Sequence, residues 1–201
     1  MKNGKPIPML YSPFHELIGN WFWWCKNNGN PTEIKTLWKF TIDYLQKKRG
    51  GGGGGHNLIY MYNTADFKTK EDFSEYYPGP NYADILSFDT KDNSFIKNCQ
   101  RQFKIMDEVA KEQNTIMAFA ETGYEAIPYD KWTDTLIKAI GDYKICYVLV
   151  WRNRGWQEKE QKMHYYAPHK GQLSEKDFID FYNLDTTLFE KEAAKENLYK
   201  K

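Results

Sequence analysis

Ile116-Met117-Ala118-Phe119-Ala120-Glu121 is an apolar run of five residues closed by a carboxylate. It lies between two stretches with helical spacing. Upstream, Ile96, Cys99, Phe103, Met106 and Val109-Ala110 recur every three or four residues across Phe95–Gln113. Downstream, Trp132, Leu136, Ile137 and Ile140 do the same until Gly141. A short continuous apolar run between helices reads as a strand covered on both faces, as parallel strands are when helices cross over them.

Four other runs have this form: Ile7–Tyr11, Leu58–Tyr62, Ala83–Phe88 and Ile145–Trp151. Asn30-Pro31-Thr32-Glu33 starts a further helix, with asparagine as cap, proline in the first turn and an acid near the positive end of the dipole. Ile34, Leu37, Trp38, Ile42 and Leu45 form its apolar face. Ser174–Tyr182 is the last full helix, with Ser174 and Asp177 spaced as a capping box and Phe178 and Phe181 turned inward. The Lys/Glu-rich tail from Glu190 reads as a solvated helix. Six glycines, Gly50–Gly55, specify no conformation and read as a linker.

The fold class is therefore α/β, with parallel strands. The polar residues His15, Glu16, Asp66, Asp89, Glu121 and Arg152 stand just past the strands. A (β/α) barrel and a doubly wound sheet both gather ligands at that end, so the pattern alone leaves the two open.

The 201 residues suit one domain, 1–189, followed by the charged tail 190–201. Lys+Arg is 28 against Asp+Glu 27, and no basic run with interleaved aromatics occurs, which argues against a nucleic-acid partner. No apolar run approaches the ~18–20 residues of a membrane span, and no signal peptide is read behind Met1. Cys25, Cys99 and Cys146 are far apart and lack zinc-site spacing, so each reads as a small buried hydrophobe. No metal or cofactor is expected.

Tyr11–Trp24, YSPFHELIGNWFWW, carries the chemistry. Sugar rings stack their C–H faces on indoles, and carboxylates cleave glycosidic bonds. Glu16 beside Trp21, Phe22, Trp23 and Trp24 has the ingredients. The competing reading is a buried glutamate at the edge of a tryptophan-rich core. Glu121, a second carboxylate at a strand end, favours the first. A retaining glycosidase needs two carboxyls about 5–5.5 Å apart, one acid and one nucleophile.

The combination of His15-Glu16, Gly19-Asn20-Trp21-Phe22-Trp23-Trp24, Tyr82–Asp89, Glu121-Thr122-Gly123, Val150-Trp151-Arg152-Asn153 and His164-Tyr165-Tyr166-Ala167-Pro168, with Asn3–Pro6, resembles glycoside hydrolase family 26, the β-mannanase family. The resemblance implies a (β/α)8 TIM-type barrel, here reduced to about five units, strands four to eight. It implies Glu16 as acid/base, Glu121 as nucleophile and His15 as orienter of the acid. Trp21 would contact the sugar at the cleavage point, and Asp89, Trp151 and Arg152 would line the cleft. The substrate implied is β-mannan or a related polysaccharide, met outside the cell or in the periplasm.

Each residue also has a purely structural reading. His15 would be a satisfied core histidine, Asp89 a turn cap, Trp23 and Trp24 packing, and Arg152 half of an ion pair. Two positions depart from the family pattern: Lys91 stands where a tyrosine is expected two residues after Asp89, and Ile18 where asparagine is common two after Glu16. Five strands in place of eight predict exposed sheet edges, weak turnover and self-association along an edge. Alternatives to mannan cleavage are action on mixed-linkage glucan or β-1,3-xylan, and a non-catalytic glycan-binding remnant.

Overall fold

A computed structural model describes residues 7–49, 57–90, 95–125 and 132–196. The glycine run and Lys91 lie outside them. Five parallel strands form one sheet in chain order: β1 (Met9–Tyr11), β2 (Leu58–Thr64), β3 (Ile85–Thr90), β4 (Ile116–Thr122) and β5 (Ile145–Val150). The strands are joined through α1 (Pro31–Arg49), α2 (Lys70–Ser74), α3 (Phe95–Gln113) and α4 (Trp132–Ile140). A two-stranded antiparallel hairpin, β6 (Gly155–Gln157) and β7 (Lys162–His164), follows, and then α5 (Glu175–Tyr182) and α6 (Glu190–Lys195). The result is an α/β half-barrel.

Alternation along the strands separates two environments. Tyr62, Leu86, Phe88 and Phe119 face the helices and join Trp38, Ile42, Phe103 and Met106 in the main core. The Phe88 ring meets Phe119 at 4.8 Å and Phe103 at 4.9 Å, so one aromatic knot ties two strands to α3. Buried Trp38 satisfies its indole N–H on the Tyr82 carbonyl at 3.0 Å. On the other face Met61, Ile85, Ala118 and Ala120 pack with Tyr147 in a smaller cluster.

Several expectations need correction. The first strand is not buried: all three of its residues are exposed, Leu10 by 48%, because it has a neighbour in the sheet only at β2. β5, at the opposite rim, is likewise only half covered, and its Cys146 is exposed, whereas Cys25 and Cys99 are buried. On α4 the core is met by Leu136 and Ala139, while Ile137 is exposed. Ser174 does not cap α5. Its backbone is not extended and its side chain makes no cap hydrogen bond. Asp177 instead takes the Thr133 amide at 2.7 Å and the Thr133 hydroxyl, so it caps the first turn of α4. Phe178 and Phe181 are half-buried and close on Phe189, tying α5 to the chain entering α6. The short α2 escapes the periodicity reading, yet Thr69 and Asp72 form a reciprocal capping box there.

Asn30 caps α1 as its sequence suggests. Its Oδ1 accepts the Thr32 and Glu33 amides at 3.0 and 3.1 Å, and Glu33 reaches back to the Asn30 amide at 2.9 Å. Among the described residues no helix is long and apolar enough to cross a membrane.

Candidate active site

The chain leaving β1 does not run straight into a helix. It folds into a compact aromatic loop pinned from below by Leu17 and Ile18, both buried in the main core. Ile18 therefore anchors the loop through packing. Phe14 and Glu16 adopt positive φ, 54° and 52°, a conformation that costs an L-residue about 1–2 kcal/mol. The surroundings hold that geometry. The Glu16 amide donates to Asn63 Oδ1 at 2.7 Å, the Gly19 amide to the Glu16 carbonyl at 2.8 Å, and the Lys26 amide to the Leu17 carbonyl at 3.0 Å.

The aromatic residues of the loop divide into two sets. Phe22 and Trp24 stack at 4.4 Å, and His15 lies against Phe22 at 4.8 Å, with the Trp24 indole N–H on the His15 carbonyl. These rings fix the loop, and His15 is thus held by its aromatic neighbours. Trp21 and Trp23 are more than half exposed. Trp23 is therefore not simple packing, although its edge touches Phe14 and Trp24. The Trp21 indole donates to Glu16 Oε2 at 2.7 Å. It lies so close over Gly19 that a Cβ there would sit 2.7 Å from the ring, so only glycine admits this arrangement.

Glu121 reaches the same side by an irregularity in β4. Ser87 pairs with Ala118 and Phe88 with Phe119, but Asp89 pairs with Glu121. Ala120 is the extra residue of a β-bulge, and it shifts the strand's alternation by one. Were Ala120 an ordinary strand residue paired with Asp89, Glu121 would fall on the helix side with Phe119. With the bulge, Glu121 stands beside Asp89 above the Ala118/Ala120 face. One carboxylate oxygen from each of Glu16, Asp89 and Glu121 lies within 4.8 Å of the others. Asp89 is almost fully buried, and its Oδ1 accepts from Asn63 Nδ2 at 2.8 Å, which makes it a buried partner of Asn63. Three carboxylates this close also have the donor chemistry of a hard cation, but acidic proximity alone assigns none.

Trp151 follows β5 and donates its amide to the Thr122 carbonyl at 2.7 Å, next to Glu121 in the chain. The Arg152 guanidinium is exposed and lies 5.8 Å over the Trp151 ring. Asn153 clips the segment after β7: its Oδ1 accepts the Tyr166 and Ala167 amides. That brings Tyr166 onto Gly123, where φ is 147° and a Cβ would come within 2.8 Å of the tyrosine. Asp66 is not part of the site and pairs with Arg101 at 3.1 Å. Glu125, another carboxylate past β4, is engaged by Lys162 of the hairpin at 2.7 Å, and that hydrogen bond holds its carboxyl below the usual range.

Two contributors escape a reading of the sequence. Asn63 lies just past the apolar part of β2, on the face of Met61, and its position in the alternation was the available signal. Tyr147 is hidden inside an apolar run. Its hydroxyl meets Met61 Sδ at 3.1 Å, and burial, with smaller contributions from Cys146, Asp89 and Glu121, pushes its phenol up to about 12.

Comparison with known proteins adds an independent line. The sequence profile described as glycosyl hydrolase family 26 matches residues 1–177. A mannan endo-1,4-beta-mannosidase of Bifidobacterium adolescentis is 27% identical over 98% of this chain, and one of Bacillus subtilis is 35% identical over 41%. Among solved structures, a family 26 β-mannanase from Bacteroides ovatus superposes with a TM-score of 0.82 at 37% identity, covering 94% of this chain and 54% of that one. A modular endo-β-1,4-mannanase from Cellulomonas fimi gives 0.79 at 26% identity over 95% of this chain and 44% of its own. The chain thus spans about half the length of these solved relatives and 21% of the Bifidobacterium protein.

Proposed function

Since this chain belongs to glycosyl hydrolase family 26, we propose that its site is built to cleave β-1,4-mannan with retention of configuration. The observation that carries the proposal is the approach of the Glu16 and Glu121 carboxylates, whose oxygens lie within 4.8 Å. That is close to the ~5–5.5 Å of double displacement and too short for the ~6.5–9.5 Å that leaves room for an inverting water.

Glu16 protonates the glycosidic oxygen as Glu121 attacks the anomeric carbon. The aglycone departs and a glycosyl ester forms on Glu121. Glu16, now ionised, takes a proton from water as that water attacks the same carbon, releasing the sugar and restoring both groups. Trp21, exposed and bonded to Glu16, supplies an apolar face beside the acid. Trp151 and Arg152 close the side after β5. Endo action on β-mannan is proposed by analogy with the Bifidobacterium and Bacillus relatives, both mannan endo-1,4-beta-mannosidases.

The test is hydrolysis of galactomannan by the purified chain, with mixed-linkage glucan and β-1,3-xylan alongside. Mannan is the substrate expected to be cleaved. Turnover is expected to fall more than tenfold below that of the Bacteroides ovatus enzyme, because an open half-barrel leaves the bound ring without part of its enclosure, and a misplacement of about 1 Å already costs ~100-fold. Glu121→Ala should abolish cleavage while retaining oligosaccharide binding, and azide should restore it with inverted product. Retention on a mannan gel without any cleavage would identify a binding remnant. Full residual activity in Glu121→Ala would move the nucleophile elsewhere.

A further inference from the structure

Asn63 is 1% exposed and its side chain bonds to three residues in two segments, the aromatic loop and β3. Its Oδ1 takes the Glu16 amide at 2.7 Å, and its Nδ2 donates to Asp89 Oδ1 at 2.8 Å and to Ser87 Oγ at 3.1 Å. The Ser87 hydroxyl passes the chain of bonds on to the Tyr62 carbonyl at 3.1 Å. The Asn63 carbonyl also faces the Leu17 amide at 3.4 Å. Two successive amides of the aromatic loop, one on each side of the Glu16 carbonyl carbon, are therefore addressed to one residue of β2.

We propose that Asn63 is the positioning residue for Glu16, coupling the loop that carries the proposed acid to the buried carboxylate Asp89. The inference rests on the reading of Glu16 as acid/base. A glutamate at φ 52° returns to extended or helical backbone unless something holds it. The hydrogen bond from the Glu16 amide to Asn63 Oδ1 opposes this return, together with the Gly19 amide on the Glu16 carbonyl. An amide side chain suits the place because it offers an acceptor toward Glu16 and a donor toward Asp89 at once. Aspartate would lose the donor and set a negative charge against Asp89. Serine lacks the reach to span both.

The side-chain direction of Glu16 follows from its backbone, and so does the Trp21 indole bond to Glu16 Oε2 at 2.7 Å. That bond gives a readout independent of catalysis. In the 201-residue chain, the indole N–H resonance of Trp21, assigned by its disappearance in Trp21→Phe, should shift toward the free-indole position in Asn63→Ala. Ser87→Ala, which leaves the Glu16 and Asp89 contacts in place, should leave it unmoved. The kinetic arm compares two substrates. On galactomannan, where the leaving group needs the acid, Asn63→Ala should lose about 100-fold in kcat, by analogy with ~1 Å misplacement. On a dinitrophenyl β-mannoside, whose leaving group departs without protonation, kcat/KM should fall less than tenfold, while kcat and KM fall together because hydrolysis of the glycosyl ester still needs Glu16 as base.

A general loss of stability would lower kcat/KM equally on both substrates and would overturn the proposal. An unmoved Trp21 resonance in a folded Asn63→Ala variant would overturn it as well, whatever the rates. If the parent chain cleaves neither substrate, the functional reading fails, and the resonance alone decides whether Asn63 holds Glu16. Should Asn63→Ala not fold by circular dichroism, Asn63→Ser carries the same two measurements.

Discussion

At the scale of single residues, Tyr147 links the core of the half-barrel to its carboxylates. Its hydroxyl packs on Met61 and its ring covers the Ala118/Ala120 face. In the folded chain the phenol keeps its proton to about 12, against an ordinary value of 10.0, because burial disfavours the phenolate. Between those values the folded state binds more protons than the unfolded one, so stability falls as pH rises. The contribution is complete below pH 10 and is lost on the way to 12. Tyr147→Phe is expected to flatten that part of the decline, measured as urea midpoints from pH 9 to 11, with only a small change at pH 7. An unchanged slope would show that Tyr147 titrates normally. The sequence made Glu16 and Glu121 legible as candidates because each is a carboxylate past an apolar run. It concealed Tyr147 because an apolar run with no polar alternation carries no record of faces, while Asn63 left only its place two residues past Met61 as a signal.

At the scale of elements, the bulge at Ala120 keeps Glu121 opposite Asp89 despite one extra residue in β4. Strand existence was readable, since all five runs form strands within a few residues of their expected bounds. The bulge was not, because an alanine between a phenylalanine and a glutamate differs in no way from a regular strand residue. It becomes visible only in the pairing of Asp89 with Glu121. Deleting Ala120 should restore regular alternation with Ala118 and Glu121 on one face and Phe119 on the other, so that Glu121 stays opposite Asp89. What the deletion removes is the local bend and extra twist of the bulge. The deletion variant is expected to fold and to keep more galactomannan turnover than Glu121→Ala, because the proposed nucleophile remains on the face of Asp89. A folded deletion variant with no more turnover than Glu121→Ala would mean that the bend of the bulge, and not the face Glu121 occupies, sets its reach. The capping of α4 by Asp177 shows a related limit: Ser174-x-x-Asp177 has the local spacing of a box, but the aspartate serves another helix 44 residues away in sequence.

For the whole molecule, α/β class and parallel order were legible from the alternation of runs and helices, whereas barrel against open sheet was not, because both place polar residues past the strands. The strand order β1-β2-β3-β4-β5 repeats the chain order. Each strand therefore depends on its immediate predecessor and successor, much as one unit of a repeat protein depends on its neighbours. The middle of such an array is held from both sides and its ends from one. β3 is buried at all six positions, while β1 is exposed at all three. Opening should then proceed as fraying from the rims inward. Amide hydrogen exchange is expected to be fastest in β1, slower in β5 and slowest in β3 and β4, with a uniform rate across the sheet being the result that contradicts it. The two proposed catalytic groups fall on opposite sides of that gradient. Glu121 belongs to the slow centre, but Glu16 follows the strand that lets go first. Thermal loss of the site should therefore precede loss of the fold, with Glu16 departing while Glu121 and Asp89 remain in register.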